Sequence, residues 1–190
     1  GLEALGVEFK VEHGNIHASA PHGITGETVS LAFASVGATE NLMMASVFAK
    51  GVTVIDNAAR EPEIVDLANM LNKMGANIQG AGSPVIEIHG VTELHPVEHE
   101  VVGDRIEAGT FLAIGALTGD PITVHGFEPN HLGLVLKKYE QMGITIETGD
   151  RWARASRQQD LKAIDIQTLP FPGFPTDMQA QTMTLLALAK

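Results

Sequence analysis

The stretch "EPEIVDLANMLNKMGANI" (61–78) decides the fold, because the chain contains it twice. The second copy is "EPNHLGLVLKKYEQMGITI" (128–146). Both open on Glu-Pro and close on Met-Gly, a small or apolar residue, a polar one and Ile. Ile64, Leu67, Leu71 and Met74 correspond to Leu132, Val135, Tyr139 and Met142, each 68 positions later. Their spacing predicts an amphipathic helix with Pro at its start and Gly just past its end.

The match extends in both directions. "LEALGVEF" (2–9) reads as the tail of an earlier copy, with Gly6 standing 69 positions before Gly75. Upstream, "GATENLMMASVFAKG" (37–51) matches "AGTFLAIGALTGD" (108–120), and "TDMQAQTMTLLALAK" (176–190) matches both. After that first helix comes a β-rich run, "VTVID" (52–56) or "ITVHG" (122–126). The Glu-Pro helix follows, then a hairpin over 76–90 or 144–156, turning at Gly-rich or Gly-Asp sequence. A further strand is expected before each unit, in "ETVSLAF" (27–33), "HEVVG" (99–103) and "KAIDIQT" (162–168). The fold class is therefore α/β (α+β), built from repeats of about 70 residues, too large for solenoid repeats. The chain holds the last part of one unit, two whole units and the first helix of a fourth, which reads as a fragment of a longer protein. In such a fragment Leu185, Leu186 and Leu188 are expected on an open surface and the chain is expected to self-associate.

Composition narrows the function. Twelve basic against 23 acidic residues give a net charge of −11, a poor match for nucleic acid or an anionic membrane surface. The chain has no cysteine, which excludes disulfides, thiolate metal sites and a cysteine nucleophile within it. No apolar run reaches the ~20 residues needed to span a bilayer, and "GLEALGVEF" lacks the layout of a signal peptide. A cytoplasmic protein is expected.

Several stretches carry chemistry. "FASVGATENLMM" (33–44) sets Ser35, Val36 and Gly37 before a helix capped by Thr39. Small residues there let N–H groups face an anion at the positive end of the helix dipole, although an ordinary capped helix fits equally. "PGFPTDMQAQ" (172–181) puts Asp177 after a Pro-rigidified loop, where a helix cap is the plain expectation and a fixed carboxylate accepting a hydroxyl proton the sharper one. Glu61, Asp104 and Glu107 suit helix starts. "HPVEH" (95–99) resembles a metal pair, but Pro96 breaks the helix that would align His95 with His99, and no metal is expected. Trp152, in "RWARASR" (151–157), is expected to pack on a sheet.

"SVGATENLMMA", "NAAREPEIVDLANML", "DRIEAGTF" and "FPTDMQAQ", in this order, resemble the middle of the UDP-N-acetylglucosamine 1-carboxyvinyltransferase family of enolpyruvyl transferases, over essentially the whole chain. The resemblance implies six βαβαββ units in two lobes, each an inside-out α/β barrel with a cleft between them. It implies transfer of enolpyruvyl from phosphoenolpyruvate to the sugar 3-hydroxyl, the committed step toward peptidoglycan, with no cofactor. It assigns Ser35, Val36 and Gly37 to the diphosphate and uridine side of the nucleotide. Asp177 becomes the group that binds the 3-hydroxyl and takes its proton. Asp104 and Arg105 fall at the crossover between lobes, so that residues 1–102 belong to one lobe and 103–190 to the other. Phe33 stands where some members carry a lysine near the nucleotide.

The family's mobile cysteine loop, its Lys-Asn pair and most of its phosphate-gripping arginines lie outside these residues, so this stretch alone is expected to be inactive. Two alternatives remain. One is the shikimate-pathway enolpyruvyl transferase of the same fold, and the other a non-catalytic interaction module that kept the fold.

Overall fold

Both copies of the Glu-Pro stretch are helical in the computed structural model, which describes residues 1–190. Internal contacts divide the chain into two units, Gly1–Val101 and Val102–Lys190. In the first, a hairpin of β1 (Glu8–Glu12) and β2 (Asn15–Ser19) precedes the repeat proper: β3 (Thr28–Ser30), α1 (Val36–Ser46), β4 (Val52–Asp56), α2 (Pro62–Lys73), β5 (Asn77–Gln79) and β6 (Val85–His89). The second holds α3 (Arg105–Thr118), β7 (Ile122–His125), α4 (Gly133–Gln141), β8 (Thr145–Gly149), β9 (Trp152–Ser156) and α5 (Gln179–Leu186).

The first unit's sheet runs β3-β4-β6-β5, with β3 parallel to β4 and the other pairs antiparallel. Alternation along β4 and β6 turns Thr53, Ile55, Ile86 and Ile88 inward. Against them α1 sets Thr39, Leu42, Met43 and Ser46, a single helical stripe, and α2 sets Ile64, Ala68 and Leu71. The second unit repeats this with a sheet β7-β9-β8 and a core around Leu112, Tyr139, Met142, Ala153, Ala155 and Phe174. Trp152 packs on its sheet as expected, opposite Gly149 in register and with its ring 6.4 Å from that of His125.

The repeat is written into the backbone at two helix ends and at the turn over residues 2–6. At Gly75 (φ 108°) the N–H reaches the Asn72 carbonyl while Ala76 N–H reaches that of Leu71, both at 3.0 Å. Gly143 and Ile144 do the same to Glu140 and Tyr139, and Gly6 and Val7 to Glu3 and Leu2. This paired closure needs a left-handed residue, which glycine adopts without strain. The second copy has one extra residue after its Pro, and Pro129–Leu132 takes it up as a 3-10 turn before α4.

Three expectations are corrected. Residues 99–103 and 162–168 form no strand: Val101 is exposed, and 162–168 contributes only a bridge from Thr168 to Phe174. The alternation of Ile164 and Ile166 packs these side chains against the core without a ladder partner for their backbone. The surface expected of Leu185, Leu186 and Leu188 is only partly open. Leu185 is 1% exposed and Leu186 rests on the core, while Leu188 is 57% exposed; α5 meets α3 on one face, which buries the positions turned that way. No helix is long and apolar enough to cross a membrane.

Candidate functional site

In the first unit, β3 delivers the chain to the mouth of α1. Ser35 adopts extended backbone and caps the helix, its Oγ accepting from Ala38 N–H at 3.3 Å. The expected cap, Thr39, lies one turn further in and is fully buried. Its hydroxyl donates to the Ser35 carbonyl at 2.8 Å and accepts from Ala59 N–H at 3.0 Å, tying α1 to the loop before α2. Thr39 is the fourth residue of the helix, past the position from which a side chain caps it.

With Ala38 N–H taken by the cap, the N–H groups of Val36 and Gly37 have no partner within the chain. A Cβ built on Gly37 would meet nothing within 4 Å, so its outer side is open. A cleft of about 380 Å³ adjoins this turn, lined by Leu2, Phe9, Leu31, Gly37, Asn41 and Leu42 among others. Walls that are largely apolar, with Glu3 and Asn41 as their polar members, beside two outward N–H groups and a neutral cap suit a ligand with an anionic and a less polar part. Phe33 is 71% exposed.

In the second unit Asp104 caps α3, one oxygen accepting from Ile106 N–H at 2.8 Å and Glu107 N–H at 3.1 Å. Arg105 is buried, with its guanidinium 5.5 Å from the centroid of the Phe171 ring. That contact joins the start of α3 to the Pro-rich loop that leads to Asp177.

Asp177 is not the cap expected of it. Pro175 is extended (φ −72°, ψ 143°), Thr176–Met178 close a 3-10 turn, and α5 then starts from Met178 without a side-chain cap. Asp177 lies inside that turn, two residues ahead of Gln179 where α5 begins, and makes no capping bond to the first helical N–H groups. It is exposed, and its carboxylate makes no hydrogen bond within the chain. Met178 beneath it is fully buried.

The remaining candidates are structural. His99 turns onto α2, with Nε2 3.0 Å from Asp66 and Nδ1 3.4 Å from Lys73, and His95 lies against Gly75. Arg157 donates to the carbonyls of Ala116 at 2.8 Å and Leu117 at 3.1 Å, closing the C-terminal end of α3. Sequence reasoning missed that closure. The signal for it was an Arg one sheet-crossing away from a helix end, which only the fold brings close.

The family model described as EPSP synthase (3-phosphoshikimate 1-carboxyvinyltransferase) matches residues 1–190. The chain belongs to the EPSP synthase family. Within it, the chain is 52% identical over 189 residues to UDP-N-acetylglucosamine 1-carboxyvinyltransferase 1 of Staphylococcus aureus, covering 100% of the chain and 45% of that protein. It is 56% identical over 189 residues to the protein of the same name from Symbiobacterium thermophilum, covering 43% of it. The chain thus spans under half the length of these relatives. Among solved structures of the family's fold, the enolpyruvyl transferase NikO from Streptomyces tendae superposes with a TM-score of 0.88 at 23% identity, over 100% of this chain and 48% of that one. An EPSP synthase from Acinetobacter baumannii gives 0.64 at 20% identity, over 97% and 41%.

Proposed function

We propose that the chain is part of an enzyme that transfers enolpyruvyl from phosphoenolpyruvate to the 3-hydroxyl of UDP-N-acetylglucosamine. The observation that carries this reading is the mouth of α1. A neutral cap at Ser35 leaves the Val36 and Gly37 N–H groups open beside an apolar cleft, in a chain 52% identical to a relative named for that sugar nucleotide. The diphosphate lies against these N–H groups and the nucleoside reaches the cleft. Asp177 is the acceptor for the sugar hydroxyl proton, a role that its exposed carboxylate, free of a capping bond, supports. The oxygen so freed adds to C2 of phosphoenolpyruvate while C3 gains a proton. Loss of phosphate from C2 and a proton from C3 then restores the double bond.

Residues 1–102 and 103–190 are assigned to two lobes, with Asp104 and Arg105 at the crossover; the division of internal contacts after Val101 supports the assignment. Competition binding to the full-length protein tests the substrate. UDP-N-acetylglucosamine should displace a labelled uridine diphosphate probe and shikimate 3-phosphate should not. The opposite order would move the protein to the shikimate branch of its family.

A further inference from the structure

Asp177 makes no hydrogen bond that would fix its direction, yet the residues on either side of it are tightly held. Three contacts come from the first two turns of α3. Arg105 stands 5.5 Å from the ring centroid of Phe171, at the entrance to the loop. A Cβ on Gly109 would lie 2.8 Å from both Sδ and Cε of Met178, so the buried thioether rests where only glycine leaves room. Thr110 Oγ1 donates to the Ile106 carbonyl at 2.8 Å and accepts from Gln181 Nε2, also at 2.8 Å. Met178 follows Asp177 directly, and Gln181 stands one helical turn beyond it.

We propose that the first two turns of α3 set where the Asp177 carboxylate points, with Gly109 and Thr110 as positioning residues for the transfer. The inference rests on the reading of Asp177 as proton acceptor. A proton acceptor must meet its hydroxyl within hydrogen-bond reach, and a displacement of about 1 Å can cost up to about a hundredfold in rate. The Thr110–Gln181 bond limits the twist of the turn. Gly109 limits its height over α3 through Met178.

The test uses steady-state kinetics of the full-length protein. Thr110→Val should lower kcat about tenfold, with KM for the sugar nucleotide and the melting temperature little changed, and Thr110→Ser should restore it. Asp177→Asn should lower kcat about a hundredfold or more. Adding Thr110→Val to Asp177→Asn should cost nothing further, because the group being positioned is gone. A full additional loss in the double variant would overturn the proposal, as would a Thr110→Val protein impaired only in melting temperature. Should Thr110→Val fail to fold, Gln181→Leu breaks the same half-buried bond from the α5 side and is read in the same way. An Asp177→Asn enzyme with normal turnover would instead remove the proton acceptor itself, a failure distinct from an intact acceptor that ignores Thr110.

Discussion

The mouths of α1 and α3 are the same element in two copies of one repeat, and they differ in what they can receive. Ser35 caps α1 with a single neutral bond and leaves two N–H groups open. Asp104 caps α3 with a carboxylate that takes two N–H groups and places a negative charge where an anion would sit. The dipole is the same in both, so the cap decides which helix mouth suits a phosphate. At α5 the cap position falls to Met178, which makes no side-chain capping bond, the 3-10 turn before it starts from Pro175, and Asp177 inside that turn is left exposed. One repeat thus supplies a mouth with open N–H groups, a closed mouth and a carboxylate-bearing mouth by changes at the first few positions of its first helix.

The largest effect is expected from erasing the first difference. Ser35→Asp in the full-length protein should keep the helix capped, since Asp caps about as well as Ser, and the melting temperature should hold. The carboxylate would repel the diphosphate and compete for its N–H groups, weakening UDP-N-acetylglucosamine binding by roughly tenfold to a hundredfold in calorimetry. Unchanged affinity would detach the mouth of α1 from the nucleotide.

What the two units share can be tested through their outer helix faces. Met44 and Phe48 on and after α1, and Phe111 and Ile114 on α3, are exposed. Light scattering of the 190-residue chain should therefore show species larger than a monomer, and Met44→Lys with Phe111→Lys should shift them toward one. A compact monomer of the unsubstituted chain would contradict this.

A smaller contrast lies in the cores. Leu71 of α2 corresponds to Tyr139 of α4, whose pKa burial pushes above its ordinary 10.0, an effect the Thr182 hydroxyl only partly offsets. A raised folded-state pKa means that the contribution is intact below about pH 10 and is lost as pH rises through the folded value. The second unit should melt earlier in strong alkali, and Tyr139→Phe should flatten that decline. The slightest effect is expected on the surface. Lys190 beside Asp160, at 2.6 Å, holds its carboxyl below the usual range through a hydrogen bond and its charge. The contribution is present above the unfolded pKa and fades as pH falls through the lower folded one, so Lys190→Ala should lower neutral-pH melting very slightly, leave melting at low pH unchanged and flatten the acid slope between them.

Much of the fold was legible because its signals are local. Pro62 and Gly75 bracket α2 through backbone chemistry that any chain would obey, and the 3.6-residue spacing of Ile64, Leu67 and Leu71 marks its buried side. The hairpins at 76–90 and 144–156 follow from alternation and turn residues. The strands expected at 99–103 and 162–168 were not legible as absent. Alternation reports that one face is buried, not that a neighbouring backbone stands ready to pair with the edge.

The sequence by itself determined the repeat, its length, the helices of each copy and the positions of Ser35, Asp104 and Asp177 at or near helix starts, since all of these follow from periodicity and from residues acting on their own neighbours. Only the tertiary structure decided what those starts do. Ser35 rather than Thr39 became the cap because Thr39 was drawn inward to Ala59. Asp177 was kept from capping by a 3-10 turn whose packing on Gly109 and Thr110 comes from a helix some 70 positions earlier in the chain. Contacts of that range depend on how one repeat is laid against the next, and no window of sequence contains both sides of them.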